Sequence, residues 1–569
     1  MFLALLLVIH AGQLGDGGAS GTRPGWGFVA GSAGSGSVSG MLGGNHSRQD
    51  PGGTAVTVRF SVTVRQVRED GSEAPLDGEL AVALAAPAEQ FAGLAAWAAE
   101  ESRYLDHGER EKVIGQEGRE LQRRLLQATF DIDSAREERA SGVTSAAGIP
   151  HGSVEEGHGR GLASVFGPVR VTRLAYRNRR EPNLYPADAR QVLPGDPYSL
   201  GMRSLAAFHL AGGGFGQAQE VIEARTGVTV GRAQLTGLAE DLAAWTGDFY
   251  EERSRDAEEE EQPDSDVIMM QGDGKGIAMR PEHRRNAGKE TGSTHPGIKK
   301  MAEIVAVADF TPAVREPGDI AAPQARRQAH PGPKARDKWV SASITESIED
   351  MIASAFDEAG RRDPQHVRQR IFLVDGNKQQ ITAIEAQAAE RGLKVPVLID
   401  YIHVSGYIGK AAAALHPADP QAAGQWADGQ LLRVLHGRAK AVAATLKAVA
   451  AKTRASARTR HLDLTDMDRA VTYLTNNCKH MKYDKALAAG WPIATGMIEG
   501  ACRFVIEDRF GITGARWSPD GAETILKLRA VVVNGDLHDY MNYYKERYRS
   551  EHHLARYDED TIDRLNLAA

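Results

Sequence analysis

Hydrophobic and polar positions alternate with a period of two in TAVTVRFSVTVRQV, which predicts a strand over Val56–Val67. A charged stretch from about Ala88 to Ala140 instead spaces Val113, Leu121, Leu125 and Phe130 as a helical region. GLASVFGPVRVTRLAYRNRR reads as a hairpin turning at Phe166-Gly167, with Val169 and Val171 on one face. Helices follow from about Ser199 to Tyr250, and GFGQAQEVIEARTGVTVGRAQLTGLAEDLAAW has the form helix, turn at Thr226-Gly227, helix. Beyond an acidic run the pattern becomes α/β. DVIMMQGDGKG predicts a strand ending at Asp273, AEIVAVADF another, RIFLVDGN one ending at Asp375, and KVPVLIDYIHV one ending at Asp400. A helix is expected over about Lys378–Arg391 and another through Tyr407 and Lys410. Residues 417–488 are Ala-rich and helical in pattern, and a last helix begins beyond Gly496.

The first 53 residues fit none of these periods. After MFLALLLVI they are rich in Gly, Ser and Pro, so a disordered low-complexity start is expected there. The apolar opening lacks a positively charged flank and a distinct cleavage region, which argues against an export signal. No uninterrupted apolar run approaches the roughly 20 residues that span a bilayer, so no membrane partner is expected. With 569 residues and 2 cysteines, Cys478 and Cys502, the chain is expected to be multidomain, intracellular and without a disulfide framework or a Cys-rich zinc site.

The expected organisation is 54–160, a strand and helical region; 161–250, a basic hairpin and a helix-turn-helix-like region; and 251–264, an acidic linker. An α/β domain follows in two parts, 265–416 and 489–550, interrupted by a helical insertion at 417–488, with a tail at 551–569. The net charge of -7 says little about nucleic acid, because Glu251–Asp266 alone carries nine acids and two arginines. Local charge is more telling. Arg170, Arg173, Arg177, Arg179 and Arg180 follow one another without an intervening acid, a pattern that suits phosphate contact and a solvated hairpin about equally.

Three carboxylates stand out by position. Asp273 and Asp375 each close an apolar strand and precede a glycine, at the edge where open α/β sheets place ligands. Glu499 lies in the small-residue helix ATGMIEGACRF. An oxygen-only set of this kind suits Mg²⁺ or Mn²⁺, and a two-metal site of this kind performs phosphoryl transfer. Each acid taken singly is better explained as a helix cap, a turn residue or a partner for the helix dipole, and only together do they point to catalysis. Asp400 and His403 offer a third ligand or a grip on phosphate, or else simple packing between helix and sheet. Lys275 and Arg280 follow the first acid; Arg503, four residues after Glu499, shares its helix face, and Arg516 lies beyond it. Trp517 reads as core more than as a base-stacking residue, and His436, His461 and His480 read as surface.

The stretches GDGKGIAMR, IFLVDGN, DYIHVSGYIGKAA, WPIATGMIEGACRFVIEDRFGITGARW and GAETILKLRA together resemble the bacterial insertion-sequence transposases of the ISKra4 type. The resemblance covers roughly residues 100–550 and departs from the family at SGYIGKAA, where an aromatic is usual near Gly409. It implies a DDE transposase with an RNase H-like mixed-sheet catalytic domain and a helical insertion, preceded by a mostly helical DNA-binding region. Asp273, Asp375 and Glu499 would be its metal-binding acids, with Asp400 the rival for the middle place and Glu507 the decoy for the third. The implied chemistry is metal-dependent hydrolysis at transposon ends, then attack of the freed 3′-OH on target DNA. Implied partners are double-stranded DNA, as terminal inverted repeats and target, and further copies of the chain in a synaptic complex in the bacterial cytoplasm. A catalytically decayed or domesticated DNA-binding protein and an RNase H-like nuclease or resolvase are the alternatives. A sugar hydrolase would call for an aromatic-rich cleft, and aromatics are 6% of the chain.

Overall fold

The computed structural model describes residues 4–14, 48–49, 55–67, 72–74, 76–256, 267–284, 298–321, 330–456, 459, 461–494, 496–512 and 514–568. The fold is mixed α/β and divides into two compact units. The first comprises residues 1–206, 215–235 and 542–569, and the second 207–214 and 236–541.

In the first unit, β1 (Ala4–Leu14), β2 (Arg48–Gln49) and β4 (Glu73–Ala74) all pair antiparallel with β3 (Ala55–Val67), the strand that alternation predicted. Two short pieces of the segment expected to be unstructured, β1 and β2, are therefore strands; residues 15–47 lie outside the described ones. Helices Gly78–Glu100 and His107–Ala135 start where Asp77 and Asp106 accept backbone N–H groups, the latter in a capping box with Glu109. The first has a mean hydropathy of 1.3 over its best 18 residues and is long and apolar enough to cross a membrane. Runs of unbroken apolar residues missed it because Pro87, Glu89 and Gln90 interrupt the run without lowering its average below that mark. The expected hairpin is β5 (Ser153–Ser164) and β6 (Gly167–Asn178), extended by β7 (Glu181–Leu184). Helices Phe215–Thr226 and Arg232–Ala243 flank the turn at Gly227, whose φ of +71° a side chain would strain.

The second unit is built on one five-stranded sheet. β8 (Val267–Ala278), β9 (Lys299–Phe310) and β10 (Ala335–Ser343) form an antiparallel meander. Helix Ile348–Arg362 then carries the chain to β11 (Arg370–Val374), which pairs parallel with β8, and helix Lys378–Glu390 leads on to β12 (Val397–Ile399), parallel to β11. The strand order is β10-β9-β8-β11-β12, or 3-2-1-4-5 in order of appearance. Every residue of β11 is buried, which is why RIFLV reads as an unbroken apolar run rather than an alternation. β10 and the helix after it escaped the sequence reading. Arg336, Asp337 and Lys338 dilute the strand pattern, and a bulge between Arg336 and Trp339 breaks its period.

Helices Pro420–Leu435, Ala439–Ala455, Thr465–Asn477 and Tyr483–Ala488 form the insertion, as their pattern predicted. Val434, Leu446, Leu474 and Tyr483 are fully buried in the same core as the sheet. His480 is buried within it, not on the surface as expected, and burial pushes its imidazole pKa down. The chain returns to the sheet with helix Gly496–Ala501, which widens into a π-helical turn over Cys502–Glu507.

Candidate active site

Strand β8 does not end at Asp273; it stays paired with β9 as far as Ala278. What ends there is its other neighbour. The last β8–β11 pair is Gln271 with Leu373, and β11 stops at Val374. From Gly272 onward, one side of β8 is therefore open at the middle of the sheet. Asp273 stands two residues beyond Gln271, and Asp375 two beyond Leu373, so the register puts both acids at one level on neighbouring strands. Likewise Val374 pairs with Ile399, and one further step on each strand reaches Asp375 and Asp400. Three aspartates thus share one level across three parallel strands, just past the ends of β11 and β12 and within β8. Neighbouring strands lie about 4.8 Å apart, so the backbone of Asp375 sits one strand spacing from that of Asp273 and Asp400 sits two, about 10 Å.

The two candidates for the middle acid also differ in what they already do. Asp400 is 1% exposed; its Oδ1 accepts the Ile402 N–H at 2.7 Å as the cap of helix Tyr401–Leu415, and Oδ2 is 3.6 Å from His403 Nδ1. That hydrogen bond raises the pKa of His403, burial opposes it, and the charges of Asp400, Asp375 and Asp273 add to the rise. Asp375 is half-buried, and its Oδ1 accepts the Asn377 N–H at 2.8 Å across a tight turn. The turn passes through Gly376 at φ +104°. The insertion holds this turn from above: the Tyr473 hydroxyl donates to the Asp375 carbonyl at 2.7 Å.

The glutamate-bearing helix lies along β8. Gln271, Asp273 and Lys275 project onto one face of the strand, and each meets a residue of that helix. The Ile498 N–H donates to Gln271 Oε1 at 2.9 Å, the Cys502 thiol donates to Asp273 Oδ2 at 3.4 Å, and Lys275 Nζ is 2.5 Å from Glu507 Oε1. Burial, together with the Asp273 carboxylate, keeps the Cys502 thiol protonated. Glu499 lies three residues before Cys502, hence on the same helix face, and is exposed. Arg529 fixes the π-helical turn by donating from Nε to the Phe504 carbonyl at 2.6 Å, and its guanidinium also reaches the Ala211 carbonyl. Irregular turns of this type are frequent at functional sites. Glu507, paired with Lys275, is committed to the ladder rather than to the aspartates.

On the opposite face of the sheet, Glu303 of β9 is paired in register with Gly274 and accepts from Gln380 Nε2 at 3.4 Å. Burial raises the Glu303 pKa, the Gln380 hydrogen bond opposes this, and the charges of Asp273 and Asp375 add to the rise. The donors are all oxygen, the set that suits a hard divalent cation. Among the described residues, no group of three His, Cys, Asp or Glu side chains gathers closely enough to hold a metal ion.

The basic residues are less uniform than their spacing suggested. Arg173 is 7% exposed and bound to Asp188, with Nε 2.6 Å from Oδ1, and Arg177 pairs with Glu155. The expected patch is thereby split: Arg173 is a core residue, bound to Asp188 of the short helix Pro186–Gln191, and Arg177 is partly neutralised by Glu155 of the paired strand β5. Arg170, Arg179 and Arg180 remain exposed, as do Arg280 and Arg516. Arg503 is 72% exposed at the side chain and 3.9 Å from Asp508. Trp517 is buried against Phe510 and the Arg509 guanidinium, as the core reading had it.

The chain matches no family model and no curated protein. Its own geometry therefore carries the functional reading. Gln271, Glu303, Cys502 and Tyr473 were not singled out in the sequence. Gln271 did leave a signal, as a lone polar residue inside the apolar run VIMMQG, and Cys502 another, three residues after Glu499. Tyr473, 98 residues from the turn it holds, left none.

Proposed function

We propose that this chain is a DDE-type DNA transposase that cuts insertion-sequence ends and joins the freed 3′-OH to target DNA. The observation that carries the reading is the shared register of Asp273 and Asp375 on adjacent parallel strands at an open sheet edge. The 3-2-1-4-5 strand order, with the first three strands antiparallel and the last two parallel to the first, supports an RNase H-like catalytic domain. The helix laid along β8 supports Glu499 as the third acid.

Asp273 and Asp375 would hold Mg²⁺ or Mn²⁺ from the sheet, and Glu499 would reach in from the helix. Such ions activate an attacking oxygen and stabilise the leaving oxygen of an in-line displacement. The chain's own residues do the rest. Cys502 and the Gly274 N–H, at 2.7 Å from Oδ1, fix the rotamer of Asp273. Tyr473 fixes the backbone of Asp375. His403, whose pKa the neighbouring Asp400 carboxylate raises, would offer a hydrogen-bond donor to a scissile-strand phosphate. Arg280, Arg503 and Arg516 extend that basic rim in the second unit, while Arg170, Arg179 and Arg180 provide a separate set on the hairpin of the first.

The test is a supercoiled plasmid carrying the gene's flanking DNA, incubated with the protein and Mn²⁺. End-specific nicks that vanish with Asp273→Asn, Asp375→Asn and Glu499→Gln support the reading. Specific binding without cleavage under any divalent ion would make the chain a DNA-binding derivative, and neither binding nor cleavage would remove the reading altogether.

A further inference from the structure

At the other end of the five-stranded sheet lies a pocket of about 190 Å³ that the carboxylate edge does not involve. Trp339 of β10 pairs with Val307, and Val307 with Met270, whereas Asp273 is level with Ile304 and Ala342. The pocket therefore begins three residues down the sheet from the acids, about 10 Å at the usual rise per residue. Its wall includes the bulge of β10, where Asp337 is held at φ +46°, followed by Lys338 and Trp339. Arg253, Arg361 and Arg362 complete the cationic side, and Asp536 faces them.

The pocket has more hydrogen-bond donors than acceptors. Trp339 is 5% exposed, and its buried indole Nε1–H has no acceptor. Arg362 Nη1 is buried and also without one; it lies 3.3 Å from Asp309 Oδ2 but not in hydrogen-bonding geometry. Of the nearby carboxylates, Asp309, Glu358, Asp363 and Asp536 are already engaged, and Asp337 is exposed on the bulge. Asp536 Oδ2 takes Arg253 at 2.8 Å and the Tyr250 hydroxyl at 3.0 Å. Glu358 takes both Arg361 and Arg362. Behind the wall, Arg368 uses Asp309 and Arg370 uses Asp363, yet Arg370 Nε and Nη1 still lack acceptors. Wall and backing together hold six cations, the five arginines and Lys338, against five carboxylates, Asp309, Asp337, Glu358, Asp363 and Asp536.

A buried donor without an acceptor is destabilising, because it has given up its hydrogen bonds to water without replacing them. A ligand that brings only acceptors and one or two negative charges relieves that cost, whereas a cation or a donor-rich ligand adds to it. The volume equals several waters at about 30 Å³ each, enough for one phosphate group. We propose that this pocket is an oxyanion site that takes a phosphate group, with the Trp339 indole N–H and Arg362 Nη1 as its inner donors and Lys338 at its mouth. The site is independent of the transposase reading: its phosphate is either a free ion or part of a nucleic-acid backbone.

The experiment follows the indole N–H resonances of the full-length ¹⁵N-labelled protein by NMR. The Trp339 signal is assigned as the one missing in Trp339→Phe. Inorganic phosphate is titrated in one arm and a short DNA duplex in the other, with chloride at matched ionic strength as control. The expected result is a saturable shift of the Trp339 resonance with phosphate, and a half-saturation about threefold higher in Lys338→Ala, the scale of one exposed charge. A shift with DNA but not with free phosphate assigns the site to the nucleic-acid backbone and also supports it. No movement of that resonance in either arm, or equal movement with chloride, overturns the proposal and leaves the donors to water.

Discussion

Replacing Gly376 by alanine tests whether the insertion really clamps the turn that carries Asp375. The residue sits at φ +104°, outside the ordinary regions for a residue with a side chain. Holding a non-glycine residue there costs about 1–3 kcal/mol. The added Cβ would also stand 3.1 Å from both Tyr473 Cε2 and Asn477 Nδ2, well inside the usual 3.5–4.0 Å contact distance. Asn477 is buried and its Nδ2 donates to the Tyr473 carbonyl at 3.1 Å, so neither neighbour is free to withdraw. Overpacking of this kind adds roughly 1–3 kcal/mol. The sum is about 2–6 kcal/mol against the second unit, measured as the fall in its urea midpoint at unchanged slope. Asn477→Ala in the Gly376→Ala background should recover part of the packing cost and none of the backbone cost. A loss below about 0.5 kcal/mol, the level of an ordinary surface substitution, would refute the clamp.

Tyr473→Phe removes only the hydroxyl that holds the Asp375 carbonyl; it should cost about 1 kcal/mol in urea unfolding and lower end cleavage more than it lowers DNA binding in a gel-shift assay. Arg529→Gln takes the guanidinium from the π-helical turn, leaves the Phe504 and Ala211 carbonyls without it, and should destabilise the second unit by about 3 kcal/mol, read as a drop in thermal midpoint. The His403–Asp400 pair raises the folded pKa of His403. Its stabilisation is therefore full below the unfolded value near 6.5 and is lost as pH climbs through the raised one. The stability difference between wild type and His403→Gln should shrink over that alkaline-going window, and a difference that grew instead would contradict the assignment.

How much of this was legible beforehand follows from where each signal resides. β8 and β11 announced themselves as apolar runs because both faces of the sheet are covered, and the acids at the edge of the sheet followed from those runs. The position of Asp273 did not. The sequence suggested that the strand stopped there, whereas β8 continues and its neighbour β11 stops; strand pairing is a property of two segments 102 residues apart. For the same reason Asp400 stayed a rival to the preferred Asp375, since both close a strand and both precede a helix. Only the strand order makes one of them adjacent to Asp273. The arginine run misled in the opposite direction: contiguous in the chain, it is divided by the hairpin between core and surface. β10 was invisible because its bulge spoils the period on which strand recognition depends.

The central claim is that Asp273 and Asp375, not Asp273 and Asp400, form the catalytic pair. It is tested most directly by comparing Mn²⁺-dependent end cleavage by Asp375→Asn and Asp400→Asn under conditions where both proteins remain folded. Asp375→Asn is expected to abolish cleavage while retaining DNA binding. Asp400→Asn, which keeps a side-chain oxygen for the Ile402 cap, is expected to retain a substantial fraction of activity. Abolition by Asp400→Asn with survival of Asp375→Asn would contradict the claim.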